Sequence, residues 1–257
     1  MRLRIAFSKT GALRYTGHLD LHKLWERTAR RAGLPLAYSQ GFHPLPKIQL
    51  AAALPLGFSA RAELVDIWLD AESADSSLRE SEAGLSWPTP FVPRASAARR
   101  CETAGQGRLR TPDIQIALQQ AAPPGLGIIN VEEVDARAPA LQTQVVSAEY
   151  EVTLLDPADG SDLTRRLSAV MEAKSLPRQR RGKAYDLRPL IEELRLLDCG
   201  GLPPQVQGQV PALQIFIRLA AREGATGRPE EVLDVLGIRF ETTRIERSRL
   251  MLKSELE

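Results

Sequence analysis

Residues Arg14–Leu56 read RYTGHLDLHKLWERTARRAGLPLAYSQGFHPLPKIQLAAALPL. Leu21, Leu24, Trp25, Thr28 and Ala32 recur at helical spacing, which predicts a helix from about residue 18 to Ala32. On the helical wheel Lys23, Arg27, Arg30 and Arg31 gather on the opposite side. Gly33 stands where a C-cap glycine ends a helix. A short strand, Leu34–Tyr38, is expected next. A loop, Ser39–Lys47, follows with Gly41, Pro44 and Pro46, and then two strands, Ile48–Ala53 and Ala62–Leu69.

Upstream, Leu3, Ile5 and Phe7 alternate with Arg2, Arg4 and Ala6, the pattern of a half-buried strand. Downstream, residues 71–112 lose all periodicity and read as an irregular insertion. Asp113–Ala121 is then a helix and Gly125–Val134 a strand. This is a βαββαβ order, which suggests a ferredoxin-like unit over residues 1–140. A second series spans 145–257: strand Ala148–Leu155, helix Leu163–Ala173, segment Tyr185–Leu197, strand Leu213–Ala220, helix Pro229–Leu236 and strand Ile245–Leu252. The expected fold is therefore α+β, two ferredoxin-like halves duplicated in topology, with no visible sequence repeat.

Composition narrows the function. The net charge is only +2, but residues 1–50 carry nine Lys/Arg against two acids, and residues 178–188 carry five against one. Such local basic patches fit a polyanion partner. Cys101 and Cys199 make no metal spacing, so a four-cysteine zinc site or a self-contained iron–sulfur cluster is excluded. MRLRIAFSKTG has no apolar signal core, and no run approaches the ~18 apolar residues of a membrane span. A cytoplasmic protein without membrane contact is expected.

All three histidines lie between positions 18 and 43. His18 and His22, four apart on one helix, have the spacing of a metal-chelating pair that Asp20 or His43 could join, but Asp20 points away on an ideal helix, no HExxH glutamate is present, and no metal site is assigned. The plainer reading is that one of them packs the helix start, with Asp20 on the positive end of the dipole. His18, His22, Tyr15 and Lys47 are also the residue types of metal-independent RNA cleavage. Binding asks for less. Arg14, Lys23, Arg27, Arg30, Arg31 and Lys47 can meet phosphates, and Tyr38, Phe42 and His43 can stack on bases, with Gly41 admitting a close backbone. Alternatively Tyr38 and Phe42 pack into the core. Arg178, Arg180, Arg181 and Lys183 form a second basic patch, read as a mobile loop around Gly182. In DLRPLI, Arg188 precedes Pro189 and is held extended, which suits a guanidinium fixed towards an anion, whereas Asp186 can simply cap the helix that Pro189 opens.

The stretch LRYTGHLDLHKLWERTARRAGLPLAYSQGFHPLPKIQLAAALPLG, with the later EYEVTL and DLRPLI, resembles the signature of the radical-SAM-linked protein family, a domain of unknown function. The likeness is dense over residues 2–70, weaker over 113–252 and absent from 71–112. It implies a chain fused to, or encoded beside, a radical-SAM module, in the neighbourhood of RNA and ribosome function. The CxxxCxxC that ligates a radical-SAM cluster is missing, so no cofactor is expected in this chain and radical chemistry would belong to a separately encoded partner. The βαββαβ order is also similar, at fold level only, to that of the CRISPR repeat-RNA endoribonucleases. Three functions remain open: an accessory RNA-binding protein acting on structured RNA (tRNA or rRNA) with a radical-SAM enzyme, a metal-independent endoribonuclease using His18 or His22, and a module that docks the radical-SAM partner without RNA.

Overall fold

A computed structural model describes residues 1–70, 110–180, 182–197 and 213–255. The insertion expected at 71–112 lies almost wholly outside the described residues, as do Cys101, Arg181 and Cys199.

The first strand, β1 (Arg2–Lys9), leads through a 3-10 turn (Gly11–Tyr15) to helix α1 (His18–Arg31). Strands β2 (Ile48–Leu50) and β3 (Ser59–Trp68), helix α2 (Thr111–Ala121) and strand β4 (Leu126–Val134) follow. A connecting segment with the one-turn helix α3 (Leu141–Gln144) leads to β5 (Val145–Leu154) and α4 (Gly160–Glu172). Next come a hairpin of β6 (Pro177–Arg180) and β7 (Lys183–Asp186), then β8 (Ile191–Leu197), β9 (Gln214–Arg222) and β10 (Ala225–Thr226). Helix α5 (Pro229–Val235) and β11 (Thr243–Leu252) complete the order.

The protein is a mixed α+β structure built on a nine-stranded, mostly antiparallel sheet. Strands of the first half run β4-β1-β3-β2, and those of the second run β11-β5-β9-β8. A short parallel pairing joins the two sets, Glu246 with Ser59 and Arg247 with Ala60. It forms because β2 is short: it covers only Val65–Ile67 of β3 and leaves the start of that edge to β11.

Two apolar clusters lie under the sheet. One gathers Leu3, Ile5 and Phe7 of β1 with Leu21, Trp25 and Ala29 of α1 and Ile114 and Leu118 of α2. The other packs α4 and α5 on β5, β9 and β11, and it also takes Ala51, Leu54, Phe58 and Ala60 from the first half. Trp25 meets Phe7 edge-on at 4.9 Å between centroids. This pairing fixes the rotation of α1 and so decides which of its faces looks outward.

The opposite sheet face changes the reading of β1. Arg2 and Arg4 are buried rather than solvated. Both bond the fully buried Asp66 at 2.6–3.1 Å, and Arg2 also donates to the carbonyls of Ala138 and Pro139. The connecting segment before α3 covers this face, so β1 is buried on both sides. At the other end of β1, Thr10 donates to Gly125 O at 2.8 Å. Gly125 has φ +90°, and a Cβ there would sit 2.5 Å from Thr10 O, so glycine is required by both conformation and space.

Residues 34–38 do not form the expected strand. They make only isolated bridges, Leu36 to Leu69 and Tyr38 to Pro46, because Pro35 supplies no N–H to a ladder. The basic segment around Gly182 is not a loose loop either. Its ends are the two arms of the β6–β7 hairpin, with Gly182 at φ +78° in the turn.

Candidate nucleic-acid interface

Helix α1 presents what its spacing predicts. Leu21, Trp25, Thr28 and Ala29 are buried, and Lys23, Arg27, Arg30 and Arg31 are exposed. Asp20 lies in its first turn, Arg30 and Arg31 lie in its last, and each suits the helix dipole. Gly33 follows in the left-handed region at φ +70°. The cations differ in freedom. Arg30 pairs with Glu26 at 2.8 Å and donates to the Tyr38 hydroxyl at 3.0 Å. Lys23, Arg27, Arg31 and Lys47 have no ion-pair partner among the described residues.

The loop beside this face is closed on itself. Ser39 N donates to Leu45 O at 2.8 Å, and Leu45 N donates to Ser39 Oγ at 3.0 Å. Gly41 takes φ +149° at its bend. This closure holds Phe42 fully in solvent and leaves Leu45 67% exposed. Phe42 therefore has no core role, and Tyr38, partly exposed, is tied to Arg30. His43 and Lys47 are exposed on the same segment. Near the helix start, Arg14 stacks over the exposed Tyr15 ring at 4.7 Å and donates to its hydroxyl.

The histidines are placed less like a catalytic pair. His22 Nε2 lies 3.2 Å from Ile48 O, which ties it to β2. His18 is half-buried, and its Nδ1 has no hydrogen-bond partner. Burial lowers the His18 pKa below its usual 6.5, and the positive charges of His22 and Arg247 lower it further. The unfolded chain therefore takes up this proton before the folded one does. Stability is expected to fall as pH drops below about 6.5, and to fall less in His18→Gln, in denaturation midpoints measured from pH 7.5 to 5. Among the described residues no three His, Cys, Asp or Glu side chains are grouped as metal ligands would be.

Beneath the start of α1 lies a buried polar group. Arg247 of β11 donates through Nε to Glu63 Oε1 at 2.6 Å and through Nη2 to Glu63 Oε2, with further bonds to the carbonyls of Ala52 and Ala53. Tyr150 and Lys9 border this pair. Lys9 is buried and donates to Thr16 O at 2.9 Å, which anchors the entry to α1. Burial lowers its pKa, Glu63 opposes that and Arg247 adds to it. These residues were missed because each looks like an ordinary surface charge. A signal was present: Lys9 continues the inward register of Leu3, Ile5 and Phe7.

The second basic patch does not offer free charge as expected. Arg178 pairs with Asp234 at 2.8 Å and Arg180 with Glu231 at 2.8 Å, so the first arm of the hairpin, β6, is clamped to α5. Arg188 does not point to an outside anion. Its guanidinium donates to Met171 O and Ile191 O at 2.7–3.1 Å, while Asp186 Oδ1 accepts the N–H groups of Leu176 and Arg188. Those two N–H groups hold the Asp186 pKa below the usual carboxylate value. Met171 and Glu231, which hold Arg188 and Arg180, lie 17 and 51 residues away, beyond the reach of a local reading. Lys183 alone of the described patch remains exposed and unpaired.

The mostly antiparallel sheet carries α1 with its cationic face exposed and, after it, a loop with Phe42 in solvent. The chain matches, over residues 2–86 and 101–229, the model of a family described as uncharacterized protein conserved in bacteria (DUF2344), and it belongs to that family. No curated protein matches it. No helix among the described residues is long and apolar enough to cross a membrane.

Proposed function

We propose that the protein is an accessory RNA-binding protein that works with a separately encoded radical-SAM enzyme on structured RNA. The observation that carries the RNA reading is the fully exposed Phe42 on the loop that follows α1, a helix whose Lys23, Arg27 and Arg31 are exposed without ion-pair partners among the described residues. A solvated phenyl ring costs hydration free energy, and its closed loop keeps it there; a base stacking on it would offset that cost. Arg30 ties α1 to the start of this loop through the Tyr38 hydroxyl, and the exposed cations of the helix suit phosphates. The partnership rests on the resemblance of residues 13–57 to the radical-SAM-linked signature and on the missing cluster motif. The architecture we favour is two ferredoxin-like units, about 1–140 and 145–257, supported by the equivalent strand orders β4-β1-β3-β2 and β11-β5-β9-β8. A cytoplasmic setting fits this role.

Phe42→Ala tests the reading. Loss of one stacked base is worth ~1–3 kcal/mol, so affinity for an RNA with an unpaired loop is expected to drop roughly 5–150-fold. Because Phe42 is wholly exposed, the melting temperature should hold. Equal affinity in filter binding would remove stacking from the proposal. RNA cleaved by pure protein in a His18-dependent way would favour the nuclease, and co-purification of a radical-SAM enzyme without any RNA affinity would favour the docking module.

A further inference from the structure

The β6–β7 hairpin stands apart from the main sheet, and Arg180, Tyr185 and Leu190, together with Gly224–Thr226, line an open pocket of about 470 Å³. Pockets that hold small ligands run about 300–1,000 Å³. We propose that this pocket binds a nucleoside monophosphate unit, either free or as an unpaired nucleotide of an RNA strand.

The walls are set in advance. The ion pairs of Arg178 and Arg180 to α5 fix the hairpin, and Arg180 also reaches Thr226 O at 3.3 Å across the cavity rim. A fixed wall avoids the ordering cost that a loose loop would add on binding. The Arg180 guanidinium lies over the Tyr185 ring at 5.0 Å, giving a planar wall, and Leu190 adds apolar surface. That combination suits a flat heterocycle.

The charges give the ligand a direction. Lys183 is exposed at one side without an ion-pair partner, whereas Glu231 offsets the Arg180 charge. Asp186 also lines the pocket, and the backbone N–H groups on its Oδ1 keep it ionised. A phosphate is drawn to Lys183 and repelled by Asp186. The base edge nearest Asp186 must then donate hydrogen bonds, as guanine does and uracil does less well.

The inference does not rest on the α1 interface. Equilibrium dialysis of the full chain with GMP, guanosine, UMP and a short single-stranded G-rich RNA tests it. Saturable GMP binding is expected, at least about tenfold weaker for guanosine and in Lys183→Ala, and unchanged in the Arg27/Arg30/Arg31→Ala variant. Binding of the oligonucleotide but not GMP, lost in Lys183→Ala and kept in the α1 variant, would assign the pocket to an RNA nucleotide. Saturable binding of neither ligand would overturn the proposal, and so would binding that Lys183→Ala leaves untouched. Lys183 is exposed, so its variant folds and the outcome is readable.

Discussion

Glu63→Ala is expected to destabilise the protein by ~3–5 kcal/mol, the cost of leaving a buried charge without its partner. Arg247 is 2% exposed and Glu63 3%, and they share two hydrogen bonds. Without the carboxylate, the guanidinium keeps the carbonyls of Ala52 and Ala53 and the neutral Tyr150 hydroxyl, but no opposite charge among these partners. Lys9, also buried, loses the one neighbouring charge that favours its protonated form. Two cations would then face each other across the junction where β11 meets β3. For a chain of this size such a loss lowers the melting temperature by roughly 10 °C. Removing both partners, as Glu63→Leu with Arg247→Leu, should recover much of the loss, because no orphaned charge remains. Thermal unfolding of the parent and the two variants decides the matter. A Glu63→Ala protein that melts with its parent would mean that water reaches the pair and that the junction is open.

The second large effect concerns function. Replacing Arg27, Arg30 and Arg31 together by alanine is expected to weaken RNA binding about 100-fold at physiological salt, if each cation neutralises one phosphate. The fold should tolerate the change. All three side chains are exposed, Arg30–Glu26 is a surface pair worth under about 1 kcal/mol, and alanine favours helix. Losing Arg30 also frees the Tyr38 hydroxyl, so the edge of the neighbouring loop loosens at the same time.

Much of this architecture is legible in the chain. Helix α1 is read within one residue of each end, because Leu21, Trp25 and Thr28 repeat every three or four positions and Gly33 stops the pattern. The exposure of Lys23, Arg27, Arg30 and Arg31 follows from the same periodicity. What stays hidden is whatever depends on distant partners. Nothing local shows that Arg2 and Arg4 are buried, since Asp66 and the 138–139 carbonyls that satisfy them lie over 60 and 130 residues away. Arg178, Arg180 and Arg188 look free for the same reason, and their partners in α5 and α4 appear only once the chain is folded. The site divides likewise. Phe42 and the α1 cations are visible in sequence, whereas the Lys9–Glu63–Arg247 group needs three strands brought together.

If α1 and the Phe42 loop form an RNA surface, binding must weaken steeply with salt through the α1 cations. Binding of a structured RNA is measured from 50 to 300 mM salt for the parent and for the Arg27/Arg30/Arg31→Ala protein, and log K is plotted against log salt. The parent is expected to give a steep negative slope, and the variant a slope shallower by about two to three with lower affinity throughout. Equal slopes and equal affinities would contradict it and move the RNA surface, if one exists, off α1.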